Sequence, residues 1–77
     1  MSKEQYNKII NNAKDTLDKN ILEKISEFKY NEVDSYYVIQ VYVKSNIKAK
    51  EMGEILTNIE DYAKDCGFNI LVDFLRG

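Results

Sequence analysis

Carboxylates are the only side chains in this chain that could act as catalysts. There is no histidine, so neither a Ser-His-Asp nor a Cys-His arrangement can be assembled. Cys66, the single thiol, ends the apolar face of a predicted helix beside Asp65. That setting points to an inert core cysteine and not to a nucleophile. Asp73 lies between Val72 and Phe74 in a predicted strand. Together with Asp34 it could hold a magnesium ion for nuclease chemistry, but no second strand carboxylate or lysine falls at matching spacing. A simpler role for Asp73 is a charge that keeps an edge strand from pairing with another sheet. Gly53, Gly67 and Gly77 are too scattered to form a phosphate loop, and zinc would lack its preferred nitrogen ligand. The expectation is a non-enzyme with no cofactor and no metal.

The elements that must position any functional surface come from hydrophobic spacing. Tyr6, Ile10, Ala13, Leu17, Ile21, Ile25 and Phe28 recur at steps of three and four, which predicts one long helix over 3–27. Such a helix would span almost 40 Å, at about 1.5 Å per residue. It must therefore project from the body or kink, and Asp18–Asn20 is the expected break. Phe28–Tyr30 is an alternative short strand. Asn31–Asp34 reads as a turn, and the β-branched and aromatic run over 35–44 as the strongest strand. Ser45 or Asn46 is expected to cap a second helix over 46–66. Its face is Ala49, Met52, Leu56, Ile59, Ala63 and Cys66, with Ile55 and Tyr62 at the edges. Gly67 should terminate it, and a last strand follows over 68–75. The predicted architecture is a single domain, 1–77. It is an α/β (α+β-like) two-layer sandwich in the order helix–(short strand)–strand–helix–strand, with two helices packed on a small sheet.

The Asp34-Ser35 pair resembles the modification motif of acyl carrier proteins. Here, however, Ser35 opens a strand where that family starts a helix, and the chain is less acidic, so the resemblance is set aside.

Strand alternation divides the sheet into two faces. Tyr37, Ile39, Val41 and Val43 pair in character with Phe68, Ile70, Val72 and Phe74 as the inner face. Tyr36, Val38, Tyr42, Leu71 and Leu75 form the outer one, with Gln40, Asn69 and Asp73 among them. If both helices pack inside, that outer face is an exposed aromatic and aliphatic patch suited to a protein partner. If the first helix covers it, it is core. A second candidate surface is acidic: Glu54, Asp61 and Asp65 share the solvent side of the second helix, where they oppose its dipole. A third is the Tyr6/Ile10/Ala13 stripe, which would need a second copy of the chain if the first helix projects.

Composition narrows the function classes. The 77 residues carry a net charge of −2 and ten lysines to one arginine, so a nucleic-acid partner is disfavoured. No apolar run is long enough for a bilayer, and the N-terminus lacks a signal-peptide core. With one thiol, this predicts a cytoplasmic protein. Abundant Lys, Ile, Asn and Tyr suit an AT-rich bacterial, phage or plasmid source. The function expected is a small non-enzymatic protein–protein interaction protein, such as a phage or mobile-element inhibitor of anti-CRISPR or immunity type. It would bind a host protein and form a homodimer. The alternative is a nucleic-acid-binding or regulatory module using the sheet tyrosines.

Overall fold

The computed structural model describes residues 1–77. The element order is α1 (Lys3–Thr16), α2 (Lys19–Leu22), β1 (Ile25–Val33), β2 (Tyr36–Val43), α3 (Ala49–Asp65) and β3 (Ile70–Arg76). The three strands form one mixed sheet in the order β1-β2-β3. β1 pairs antiparallel with β2, and β2 pairs parallel with β3. The class is α+β, and the strand–helix–strand unit from β2 to β3 is present with parallel strands. The second helix and last strand start later than expected, at Ala49 and Ile70.

The first third of the chain is where expectation and structure part. No long helix runs over 3–27. Leu17 is extended at φ −75°, ψ 148°, and the Asp18 side chain caps the four-residue α2 by accepting the Asn20 N–H at 2.7 Å. Beyond Leu22 the chain becomes a nine-residue strand. Ile25 and Phe28 fit a helical stripe, but Phe28-Lys29-Tyr30 also alternates. Pairing with β2 over Glu27–Val33 satisfies the edge of β2 that would otherwise stay unpaired and packs Phe28 against the core; a helical extension would do neither. Helix α1 does not project, because Ile10 and Ala13 are buried.

The turn also moves. Asn31–Val33 belong to β1, and the connection is the two residues Asp34 and Ser35, with φ 48° and 73°. Both are left-handed, as a type I′ hairpin requires. Ser35 therefore opens no strand; it sits in the turn.

Helix α1 starts with a reciprocal cap: Ser2 Oγ accepts the Gln5 N–H at 3.2 Å, and Gln5 Oε1 accepts the Ser2 N–H at 2.8 Å. Helix α3 is not capped by Ser45 or Asn46. A turn in which the Ile47 N–H donates to the Lys44 carbonyl (3.2 Å) carries the chain to Lys48, whose N–H donates to Glu51 (2.9 Å). Both Glu51 oxygens also accept from Lys24 Nζ at 2.9 Å, tying the start of α3 to the segment before β1. Helix α3 ends as expected. Gly67 has φ 86°, the Gly67 N–H donates to Lys64 (3.0 Å), and the Phe68 N–H donates to Ala63 (2.9 Å).

The core joins one face of the sheet to both long helices. Ile39, Val41 and Val43 of β2 meet Ile9, Ile10 and Ala13 of α1, and Ile55, Ile59 and Ala63 of α3. The α3 stripe is rotated from the expected one. Ile55 is fully buried and Ala49 exposed, while Leu56 is only half-buried. Cys66 is exposed because the helix ends there and its side chain lies past the edge of the core.

Two predictions follow from these joints. Ser35→Gly relieves a left-handed β-carbon and raises stability by about 1 kcal/mol, which is roughly 4–8 °C in Tm; Gly67→Ala lowers it by about 1–2 kcal/mol. Thermal unfolding of both variants reads the two signs. The Lys24 ammonium, helped by the Lys48 N–H, holds the Glu51 carboxyl below its ordinary value of 4.5. Its contribution is thus complete above that value and is lost as pH falls through the lowered folded value. Glu51→Gln is destabilising at about pH 7, and its Tm gap from the parent protein closes towards about pH 3.

Candidate functional site

With both helices on the inner side, the outer face of the sheet has no helix over it. Pairing register fixes its rows. Val33 faces Tyr36 at the hairpin end. Asn31, Val38 and Leu71 form the next row; Lys29, Gln40 and Asp73 the third; Glu27, Tyr42 and Leu75 the last. Neighbours across a row lie about 5 Å apart.

This arrangement brings together the expected outer-face residues and divides them. Tyr36, Val38 and Leu71 form one apolar cluster at the hairpin end. Tyr36 is 61% exposed and Leu71 54%, while Val38 between them is half-buried. Tyr42 and Leu75 form a second group beyond the polar row. Tyr42 is partly occupied already, with Lys29 Nζ 5.0 Å from its ring centroid. Gly77 also packs on Tyr42, where a β-carbon would lie 3.0 Å from the Tyr42 Cβ, and its N–H donates to the Val43 carbonyl at 3.3 Å.

The β1 members of the face were not anticipated. Val33 is 46% exposed and extends the hairpin-end cluster, and Glu27, Lys29 and Asn31 supply its polar border. Their signal in the sequence is the two-residue alternation of Glu27, Lys29 and Asn31 against Phe28 and Tyr30, overlaid by the helical spacing before it.

Glu54, Asp61 and Asp65 are all exposed. At about 100° per residue they fall opposite the Ile55/Ile59/Ala63 stripe, so they point away from the sheet. The acidic surface and the sheet face therefore lie on opposite sides of the molecule and cannot form one site. Asn58, in their midst, instead braces the two helices: its Nδ2 donates to Thr16 Oγ1 at 2.7 Å.

Nothing gathers the carboxylates for chemistry. Asp73 pairs with Gln40, four residues along β2 from Tyr36, which is about 13 Å, and Asp34 lies beyond Tyr36 in the turn. No group of three or more His, Cys, Asp or Glu side chains is placed to hold a metal ion.

The inner face has one polar anomaly. Tyr6, Tyr30, Tyr37 and Phe68 form a ladder with successive ring centroids 5.3, 6.4 and 6.1 Å apart. The Tyr30 hydroxyl within it is buried without a hydrogen-bond partner. Burial, with the Glu32 carboxylate and Tyr37 adding to it, pushes the Tyr30 phenol up. Burial and then Glu27 do the same to Tyr6.

No protein family, curated protein or solved structure matches the chain.

The exposed face makes a stability prediction. Leu71→Ala costs less than about 1 kcal/mol, whereas Ile55→Ala costs about 2–5 kcal/mol; chemical denaturation of the pair measures the contrast. An equal loss at the two positions would mean that the outer face is core.

Proposed function

We propose that this chain is a non-enzymatic binding protein whose outer sheet face docks on another protein. The observation that carries the reading is the hairpin-end cluster of Val33, Tyr36, Val38 and Leu71, apolar and contiguous by register. Exposed tyrosine and leucine grouped on a rigid sheet bury apolar area at little entropic cost when a partner arrives. Lys29, Gln40 and Asp73 border the cluster with both signs of charge, which suits a partner offering an apolar protrusion ringed by polar groups. In this reading the protein is a small cytoplasmic inhibitor of a host protein, carried by a phage or mobile element and of anti-CRISPR or immunity type. Support for that part is compositional: lysine, isoleucine, asparagine and tyrosine in excess, and no catalytic constellation.

The test compares capture of cellular partners by the parent protein and by Tyr36→Ser/Leu71→Ser. The variant folds normally and binds a specific partner about tenfold or more weakly. Unchanged capture by that variant, with loss on Glu54→Lys/Asp61→Lys, would move the site to the acidic face of α3 and overturn the proposal. Capture of nucleic acid that disappears between about 50 and 200 mM salt would replace it with a nucleic-acid module.

A further inference from the structure

The edge of β1 is open. Because β1 lies at the margin of the sheet, its outward backbone groups have no strand to pair with. The two-residue hairpin makes Val33 and Tyr36 the closing pair, so Phe28, Tyr30 and Glu32 direct their N–H and C=O groups away from β2. The Glu32 N–H is satisfied locally by Asn31 Oδ1 at 2.9 Å, which leaves the stretch around Phe28 open.

A two-fold axis normal to the sheet keeps both inner faces on one side, and then only residues of like parity can oppose each other. Centring the axis on Phe28 places Glu27 opposite Lys29 of the second copy, and Lys29 opposite its Glu27. Both pairs sit where side chains approach closest. Moving the axis one residue to Lys29 opposes two lysines, and moving it to Glu27 opposes two glutamates. Centring on Tyr30 pairs no opposite charges. The other edge has no such register: in β3 no like-parity pairing brings Asp73 opposite Arg76.

A second, independent feature points to the same edge. Helix α1 packs against α3 and leaves a groove of about 520 Å³ over the inner side of β1, lined by Tyr6, Ile10, Leu22, Ile25 and Phe28, with Glu27 at its rim. The same axis would bring Phe28 of the second copy beside Phe28, at the mouth of this groove.

We infer that two copies of this chain associate antiparallel through β1, centred on Phe28, to form a six-stranded sheet. The inference does not rest on the outer-face proposal, because it uses a different surface; the outer faces of the two copies would become continuous.

The test is sedimentation equilibrium up to millimolar concentration, with circular dichroism to confirm folding. Glu27 and Lys29 are half-exposed, so their substitution leaves the fold intact. Glu27→Lys and Lys29→Glu each oppose like charges twice and weaken the homodimer about tenfold or more. An equimolar mixture of these two variants associates like the parent protein, and so does Glu27→Lys/Lys29→Glu. A parent protein that stays monomeric throughout would overturn the inference. So would a dimer indifferent to both single variants but broken by Leu71→Asp, which would place association on the outer face.

Discussion

The inner stripe of β2 is the constraint on which the rest of the structure depends. Ile39 and Val41 have no exposed surface and Val43 has 4%. A central strand so covered must be hydrogen-bonded on both sides and roofed by helices, and this chain has just enough elements to do it. β1 and β3 complete the backbone pairing, while α1 and α3 meet above the stripe. Ala13 and Ala63 are both fully buried, and side chains that small let the two helices come close over a single strand. Once both helices are committed to one face, none remains for the other.

That allocation explains which parts of the fold could be read from the sequence. The β2–α3–β3 unit was legible because its signals agree: β-branched alternation, a helical stripe and Gly67 at the helix end. The inner faces from Tyr37 to Val43 and from Phe68 to Phe74 were assigned correctly, and Gly67 takes the left-handed conformation that its position requires. The segment from Leu17 to Val33 was not legible, because two periods overlap there. Ile21, Ile25 and Phe28 satisfy a helical stripe, and Phe28-Lys29-Tyr30 satisfies a strand. Local pattern cannot choose between them, whereas pairing with β2, a long-range interaction, can. The alternative strand at Phe28–Tyr30 is the one that forms, but its turn lies at Asp34-Ser35 and not at Asn31–Asp34, because Asp-Ser is a weak signal for a turn that ordinarily recruits Asn-Gly.

The same overlap of periods hides β1's share of the candidate surface. Tyr36, Val38, Tyr42, Leu71 and Leu75 were correctly grouped on one face, because alternation within β2 and β3 is unambiguous. Their division by a polar row required the β1–β2 register, which places Lys29 level with Gln40 and Asp73. Ile55 lies at the edge of the predicted stripe yet is core, since a stripe drawn through Leu56 is only one residue off in rotation. Cys66, on the predicted apolar face, is exposed, because helical angle alone does not say where the core ends.

The polar row bears on why the outer face can stay open to solvent at all. The outer face carries six apolar side chains, Val33, Tyr36, Val38, Tyr42, Leu71 and Leu75, and a continuous apolar patch on a bare sheet face promotes association. Lys29, Gln40 and Asp73 interrupt the patch across all three strands, and Lys29 covers part of Tyr42. What remains uninterrupted is the hairpin end, where Val33 and Tyr36 face each other directly before the turn. A surface shaped only for solubility would place its polar residues there, at the most exposed point of the sheet. Instead the polar residues protect the middle of the face and leave the apolar group at its tip.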